Sequence, residues 1–455
     1  MNNENKNGIY NAKELGTGKV LVLGLQHMFA MFGATVLVPL LTGLDVSTTL
    51  LFAGLGTLLF HFLTKGKVPA FLGSSFTFLG GYFAICPVLE DGSSNVPMIP
   101  YACFGVACAG LLYLVMAALI KVFSASKVMK FFPPIVTGPI IIAIGLTLSQ
   151  SAIDNCATNW LLALVAIVVV ILCNIFGKGM IKIIPILIGV IASYLVGALT
   201  GQVDFSLIAK APLLGLPIHW DRTVFALIGN CDISMLITAV VTIMPIALAT
   251  IVEHIGDISA ISSTVGKNYI KDPGLHRTLL GDGLATMMAA LFGAPANTTY
   301  GENTGVLNLS KVFDPFVVRL AAVFAVILSF SPKFAAVIQA MPSATVGGIS
   351  LILYGMISAV GVRNVVENKV DFTKTRNVTI AALILVLSIG IKFSAAGAIN
   401  FTIGSLTISL TGLAVGALVG IILNAVLPEK DYVFDEEEPS DTGVNFQVGG
   451  EKRGN

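Results

Sequence analysis

Apolar residues occur in runs of about 20 along most of this chain, and short polar stretches separate the runs. A run of this length can cross the hydrocarbon core of a bilayer as one α-helix. The runs are apolar on every side, which is typical of helices surrounded by lipid or by other apolar helices. The pattern therefore predicts an all-α polytopic membrane protein with fourteen transmembrane segments. These segments are residues 20–42, 47–64, 68–89, 98–120, 131–150, 160–177, 181–200, 233–263, 275–294, 296–310, 316–331, 338–360, 377–393 and 402–427.

Two of the predicted segments, the third and the tenth, are interrupted by Gly, Ser, Thr and Asn. They contain "FLGSSFTFLGG" and "TTYGENTGVLN". Their positions correspond, because adding 226 to the number of Phe76 gives Glu302, and the same offset relates His27 to Glu253. Two halves of seven segments must be inverted relative to each other, since seven is odd. We therefore predict 7+7 inverted repeats whose interrupted segments meet at the midplane, an arrangement typical of transporters.

Composition and charge agree with this topology. Apolar residues make up 55% of the chain and charged residues only 11%, which excludes an ordinary soluble domain. With residues 1–19 as a cytosolic tail, the predicted inner loops hold sixteen Lys and Arg residues and the outer loops hold four: Lys210, Arg222, Lys333 and Lys392. This asymmetry indicates that both termini, including an acidic tail at 428–455, are cytosolic. We expect a multi-pass protein of the cytoplasmic membrane.

Carboxyl groups at membrane depth are the strongest candidates for function. Glu253, Asp257 and Glu302 each lie in or beside an apolar segment, where an acid is costly unless it has a function. Glu253 and Asp257 are one helical turn apart and so share a helix face. These acids can accept hydrogen bonds from a ligand or carry a proton. The interrupted segments add free backbone N–H groups near Phe76 and Gly301, since unwound backbone is tolerated at this depth only around a cavity.

Other polar residues have less specific predicted roles. His27, at the helix centre that corresponds to Glu253, is a candidate to support an acid across the site. Phe76 and Tyr300 are candidates to stack on a flat ligand. We expect structural contacts for His254 and Asp282. Metal-ligand spacings, nucleotide-binding loops and nucleophile motifs are missing from the sequence, so we predict no cofactor, no metal site and no enzymatic activity.

At these residues the chain resembles the bacterial uracil permeases of the nucleobase–ascorbate transporter family. The resemblance extends from residue 25 to the last apolar segment, and it rests on "LQHMFAMFGATVLVP", "GKVPAFLGSSF", "IPILIGV", "KDPGLHR", "NTTYGEN" and "SLILYG". It implies proton-coupled uptake of a nucleobase by a homodimer, with no nucleic-acid partner. It also implies core-domain segments at 20–121 and 233–337 that move against gate-domain segments at 122–232 and 338–427.

The resemblance also assigns roles to individual residues. It implies that Glu253 and Glu302 hold the ligand together with backbone groups of Phe76 and Gly301. Ala34 and Tyr354 match positions that wall the pocket in the family. Proton coupling is then expected from Glu302, Glu253 and Asp257, with His27 in support.

One departure keeps the choice of ligand open. Uracil permeases usually carry His one turn after the Glu of segment 8, whereas this chain has Asp257 in "EHIGD". An acid there is similar to the purine members of the family, so a xanthine or uric acid symporter is the alternative. An anion transporter of the same architecture fits less well, because two acids would repel its substrate. An enzyme or a channel has no supporting motif.

Overall fold

A computed structural model describes residues 8–89, 93–229, 231–403, 406–430, 432–434 and 446–448, which form a mostly helical fold. In the first half of the chain the helices are α1 (Thr17–Thr42), α2 (Val46–Leu63), α3 (Leu79–Ile85), α4 (Ile99–Phe123), α5 (Ala125–Met129), α6 (Pro134–Ala157), α7 (Trp160–Phe176), α8 (Met180–Ile183), α9 (Pro185–Leu199) and α10 (Phe205–Lys210).

The second half continues in the same manner and contains most of the short strands. Its helices are α11 (Ile233–Ile243), α12 (Ala247–Val265), α13 (Leu275–Leu291), α14 (Gly301–Ser310), α15 (Pro315–Ser329), α16 (Pro332–Gln339), α17 (Ser343–Glu367), α18 (Thr375–Lys392) and α19 (Gly412–Val426). The strands are β1 (Leu72–Ser74) in the first half and β2 (Asn297–Thr299), β3 (Ala398–Ile403), β4 (Leu406–Thr411), β5 (Tyr432–Phe434) and β6 (Phe446–Val448) in the second.

Among the described residues, seven helical stretches are long and apolar enough to cross a membrane. They are α1, α2, α4, α6, the continuous stretch of α11 and α12, α17 and α18. An eighth is added if α15 and α16, which are bent by 88° at their junction, count as one span. Helices α7, α9 and α19 are also apolar but shorter. The chain is therefore a multi-pass membrane protein, as its sequence predicts.

Strands β1 and β2 are the interrupted segments, and they pair with each other in antiparallel register. Leu72 lies opposite Thr299, and Ser74 lies opposite Asn297. The pairing continues at both ends, where Ser75 N donates to Ala296 O at 2.8 Å and Tyr300 N donates to Phe71 O at 2.9 Å. The two unwound segments thus satisfy each other's backbone groups where no water is present to do so. Their predicted meeting is confirmed.

Glycine makes this close approach possible. A Cβ atom at Gly73 would lie only 2.7 Å from Thr35 Oγ1 of α1 and would also collide with the Tyr300 ring. Small residues at such contacts allow backbones to approach in membrane proteins, where packing rather than water exclusion holds the helices together. Gly73 is therefore required for β1 to lie between α1 and β2.

The helices pack in two groups. One group contains α1, α2, α4 and α11–α15, and the other contains α6, α7, α9 and α17–α19. In the second group α6 crosses α17 so closely that a Cβ atom at Gly361 would lie 2.7 Å from Gly138 O. In the first, α4 approaches α13 so closely that a Cβ atom at Gly110 would lie 3.0 Å from Gly283 O, and one at Gly283 would lie 3.1 Å from Gly110 O. Each group thus has its own close-packed helix pair.

A hairpin of β3 and β4 joins α18 to α19 and reaches across to the other group. Its register places Ala398 opposite Thr411. Strand β4 lies against α11 and α3, and Thr242 Oγ1 of α11 donates to Ser409 O at 2.8 Å. The hairpin therefore connects the two helix groups at the end of the molecule where α18 ends.

Candidate functional site

A cavity of about 470 Å³ lies between the two helix groups. One wall is formed by β1, β2, α12 and α14, and the other by α6 and α17. Its deep end lies at the strand pair. It extends past Thr264 and Asn308 to Arg363 near the end of α17, where Asn308 and Arg363 are exposed. The cavity is therefore large enough for a small heterocycle and is directed toward one face of the molecule.

Two carboxylates of α12 line this cavity. Glu253 and Asp257 are one helical turn apart, and both side chains are partly buried. The hydroxyl of Thr77, in the interrupted segment of the first half, donates to Glu253 Oε2 at 3.0 Å. The carboxylates thus face a common space, and one of them is oriented by a residue from the opposite half of the chain.

The beginning of α14 lies at the same place. A Cβ atom at Gly301, the first residue of α14, would be 3.5 Å from Asp257 Oδ1. The first backbone N–H groups of a helix have no partner within that helix, and they favour a nearby negative charge. Asp257 therefore lies beside hydrogen-bond donors at a helix N-terminus. Glu302 follows Gly301 in α14, but its side chain lies outside the described residues.

Aromatic side chains form the rest of the deep end. Phe76 is half-buried and lines the cavity, and its ring meets the ring of Tyr354 edge to face, with centroids 6.2 Å apart. Tyr354 is 1% exposed and stands behind Phe76 rather than on the cavity surface. Tyr300 lines the cavity and donates its hydroxyl proton to Ser74 O at 2.9 Å. Ala34 is buried in a cluster that includes Tyr300.

His27 does not line the cavity. It is fully buried on α1, where Asn303 Nδ2 lies 3.1 Å from His27 Nδ1 and also donates to His27 O at 3.1 Å. Asn303 is next to Glu302 on α14. The sequence predicts that His27 supports an acid of the other half. In the structure His27 is instead hydrogen-bonded to Asn303, the residue next to Glu302.

His254 and Asp282 have the structural contacts that we expect of them. His254 Nδ1 lies 2.9 Å from Asp282 Oδ2 and 3.0 Å from Thr299 Oγ1. Both ionisable side chains are fully buried. This contact ties α12 to α13 and to strand β2 behind the cavity. Since α12 is a helix, His254 faces away from Glu253, which is its neighbour in sequence.

Sequence reasoning missed Thr77 and the polar residues at the open end of the cavity. Arg363 lines that end and pairs with Glu367, with 2.6 Å between Nε and Oε1. A signal for Thr77 exists in hindsight, because it directly follows Phe76 in an interrupted segment. A hydroxyl at that position is the natural partner of a carboxylate across the site.

Comparison with known proteins assigns the chain to a family. The sequence profile described as the permease family matches residues 18–397, from the start of α1 to the loop before β3. The chain belongs to this permease family. This permease is 40% identical over 438 residues to a uracil permease of Bacillus caldolyticus, with 93% of this chain and 96% of that relative covered. It is 39% identical to a uracil permease of Bacillus subtilis (strain 168), with 93% and 95% covered.

A solved structure supports the fold of this permease. The transmembrane domain of a cyanobacterial bicarbonate transporter, BicA, matches with a TM-score of 0.56 over 86% of this chain and 98% of that domain. The two sequences are only 16% identical, so this match concerns the fold alone. The permease family and the uracil permease relatives, rather than the fold, show a transport protein and not an enzyme.

Proposed function

We propose that this permease takes up a nucleobase, most directly uracil, across the cytoplasmic membrane together with a proton. The observation that carries the proposal is the cavity that brings Glu253, Asp257, Phe76 and the beginning of α14 together. Uracil is a flat ring with N–H donors and carbonyl acceptors around its edge. Carboxylates accept from the N–H groups, and backbone N–H groups near Phe76 and Gly301 donate to the carbonyls. The names of the two uracil permease relatives point to the same substrate.

Proton coupling in this proposal rests on carboxyl groups. Glu253 and Asp257 lie within one turn of each other on the cavity surface, and such a pair resists carrying two negative charges at once. Glu302 supplies a third carboxyl on α14. His27 acts indirectly, because its hydrogen-bond partner Asn303 adjoins Glu302. Ala34 and Tyr354 fix the shape of the pocket from behind Tyr300 and Phe76.

The finer architecture in this proposal is fourteen segments in 7+7 inverted repeats. Two hydrogen bonds support it. The offset of 226 that relates His27 to Glu253 also relates Thr77 to Asn303, and Thr77 bonds Glu253 while Asn303 bonds His27. Each half thus makes the same kind of contact to the other. Reciprocity of this kind is what two inverted copies of one unit produce.

We propose that the two helix groups are the core and gate domains that the resemblance implies. Residues 20–121 and 233–337 form the proposed core and residues 122–232 and 338–427 the proposed gate, with the cavity between them. We assign the face near Arg363 to the cytoplasm, together with the tails at 1–19 and 428–455, because the predicted loops on that side are rich in Lys and Arg. In this orientation the cavity opens inward. Gate domains paired in a homodimer would hold still while the core moves.

A purine such as xanthine or uric acid is the alternative substrate, and the position of Asp257 favours it. Asp257 lies on the cavity surface beside Gly301, where it can accept a hydrogen bond from an N–H group that uracil lacks. An anion is a weaker candidate in spite of the fold shared with a bicarbonate transporter. Two carboxylates line the cavity, and Arg363 at its open end is already paired with Glu367.

Uptake into vesicles tests the proposal. Purified protein is reconstituted into liposomes, and uptake of labelled uracil is followed with and without an inward proton gradient, with protein-free liposomes as the control. We expect accumulation that needs the gradient and is suppressed by unlabelled uracil more strongly than by xanthine. The reverse order of competition would assign a purine, and uptake that never exceeds equilibration would refute symport.

The variant Glu302→Gln examines the proton step in the same assay. An amide cannot gain and lose a proton, but it keeps a carbonyl acceptor. Gradient-driven accumulation should therefore disappear while some uracil binding remains. Normal pH-driven uptake by this variant would remove Glu302 from the mechanism.

A further inference from the structure

A second cavity, of about 310 Å³, lies at the opposite end of the molecule from Arg363. After the end of α17 the chain runs the whole length of α18. Lys392, at the end of α18, is therefore far from the end of α17. The second cavity lies there, between the β3–β4 hairpin, the middle of α6 and the end of α18 on one side and α3 on the other. It is thus bounded by both helix groups, as the first cavity is.

The two cavities are neighbours along one route. Thr77 and Ile144 line both of them. Thr77 comes from the first helix group, where its hydroxyl donates to Glu253, and Ile144 comes from α6 of the second group. Both side chains are almost fully buried. A partition formed by these residues therefore separates the second cavity from the carboxylates of the first.

The lining of the second cavity contains hydrogen-bond donors. The ammonium of Lys392 and the amide of Asn400 line it, and Phe83 adds a half-buried aromatic ring. Thr147 also lines it, but its hydroxyl donates to Ile144 O of its own helix at 3.1 Å. No described residue of the lining is an acid, and within the described part of the chain no carboxylate forms an ion pair with Lys392. A ligand with carbonyl oxygens and a flat face would meet donors and a ring here.

We propose that this second cavity is an entry subsite, in which Lys392 receives the carbonyl edge of the incoming planar heterocycle. The proposal rests on the proposed function, since it concerns the same substrate. The two sites are chemically complementary: the first offers carboxylates to the N–H groups of the ring, and the second offers donors to its carbonyl groups. The ring passes from one to the other when Thr77 and Ile144 separate as the two helix groups move.

The position of the hairpin explains why this subsite is distinct from the first site. Thr242 of the first group bonds the carbonyl of Ser409 in the hairpin of the second group. In this arrangement the carboxylate cavity extends toward Arg363 and remains closed on the Lys392 side. A substrate arriving from the Lys392 side therefore meets the second cavity before any route to Glu253 exists.

The variant Lys392→Met tests the proposal, because Met retains length and apolar bulk but has no ammonium group. The control Lys333→Met removes another partly buried lysine of the same predicted outer side that lines neither cavity. Initial uptake rates of labelled uracil are measured in proteoliposomes with protein oriented so that the Lys392 face is outside, and equilibrium binding is measured in detergent. Lys392→Arg is the conservative variant, since it keeps a cationic donor.

We expect Lys392→Met to raise KM for uptake about tenfold or more, as for loss of one hydrogen bond from a charged donor. Its equilibrium Kd, which reports the carboxylate site, should stay within about twofold of the parent value, and Lys392→Arg should restore most of KM. Lys333→Met should behave like the parent. Efflux from vesicles loaded with uracil should keep its KM, because substrate then enters from the Arg363 side.

Three results would overturn the entry subsite. An unchanged KM in Lys392→Met would show that the ammonium does not meet the substrate. A parallel rise in KM and Kd would place the effect at the carboxylate site. An equal rise in KM for uptake and efflux would indicate a general slowing of the conformational change. A folded parent protein that neither binds nor transports uracil would instead refute the proposed function, and the subsite with it.

Discussion

Thr77 and Glu253 come from opposite halves of the chain and are joined by a hydrogen bond of 3.0 Å from Thr77 Oγ1 to Glu253 Oε2. Thr77 is almost completely buried, so few other hydrogen-bond acceptors are within reach of its hydroxyl. A buried donor aimed at a carboxylate fixes the rotation of that carboxylate and stabilises its charged form. The residue thus prepares Glu253 for a ligand without being an acid or a base itself.

Removing this hydroxyl should weaken nucleobase binding. In Thr77→Val the side chain keeps its shape but leaves Glu253 Oε2 without this donor. We expect Kd for uracil to rise about tenfold to a hundredfold, the size of one hydrogen bond to a charged group. Thr77→Ser keeps the hydroxyl and should bind almost normally. Equal affinity of Thr77→Val and the parent, measured by equilibrium dialysis, would show that the bond does not orient Glu253.

The aromatic ring of Phe76 should contribute to binding more than to folding. It lines the cavity and is only half-buried, whereas Tyr354 behind it is closed off from the cavity. Phe76→Ala is expected to lose about 1 kcal/mol of binding free energy, the size of an aromatic contact, while the backbone donors remain. Titration calorimetry of uracil checks the affinity, and size-exclusion chromatography checks folding. Unchanged affinity together with poor recovery of folded protein would make Phe76 a packing residue.

The pair of Glu253 and Asp257 should set the pH range of transport. Because the two carboxyl groups are one turn apart, the empty site is expected to keep one shared proton. Asp257→His exchanges that acid for a group that can support the ionised form of Glu253 instead. Uptake by the parent should therefore persist to higher external pH than uptake by Asp257→His at matched expression.

Two other outcomes of that comparison are informative. Identical pH profiles would show that Asp257 and Glu253 are not coupled. Uracil uptake that is gained only in Asp257→His would favour a purine as the substrate of the parent protein.

An ion pair outside the membrane should give stability a separate pH dependence. His219 Nε2 lies 3.6 Å from Asp45 Oδ2. The interaction with Asp45 raises the pKa of His219 above its usual value of 6.5 and outweighs burial, which lowers it, with smaller opposing and supporting effects of Arg222 and Asp221. Burial raises the pKa of Asp45, but the interaction with His219 and hydrogen bonds from Thr48 outweigh this and lower it overall. Asp45 also caps α2 through Thr48 N at 2.7 Å.

The sign of the pH effect follows from the raised pKa of His219. Stabilisation by protonated His219 is complete below about pH 6.5 and fades as the pH rises through the folded-state pKa. His219→Ala should therefore lower Tm at pH 5.5 and have little effect at pH 8.5. The loss should not exceed about 1 kcal/mol, because the His219 side chain is 47% exposed. Thermal unfolding in detergent measures it, and an equal loss at both pH values would point to packing instead of charge.

The interrupted segments were predictable because Gly, Ser and Thr within long apolar runs conflict with an ordinary membrane helix. Their pairing, Leu72 with Thr299, follows from the need to satisfy unwound backbone. The partner of Thr77 could not be derived, since many hydroxyls in the chain bond to their own helix. The repeat indicates that the helix of His27 corresponds to the helix of Glu253. The contact of His27 with Asn303, however, depends on the rotation of its helix about the helix axis, which the sequence of a helix that is apolar on every side does not encode.

Ala34 and Tyr354 also show how far the site can be predicted from the sequence. A resemblance places them near the pocket, and the structure has them buried behind Tyr300 and Phe76. The roles of these residues stay predictions. The second cavity was invisible in the sequence, because Lys392, Thr147 and Phe83 come from three helices whose relative placement no local pattern specifies.

The pairing of β1 with β2 has a consequence for how the protein is made. During synthesis Leu72–Ser74 enters the bilayer long before Asn297–Thr299 leaves the ribosome. Until then the edge of β1 has backbone groups with no strand beside them, and lipid cannot replace that strand. A fragment that ends between the two strands therefore cannot reach the native state by itself, and complementary fragments would have to assemble with each other. The first half of this permease becomes a finished membrane protein only when translation has passed Thr299.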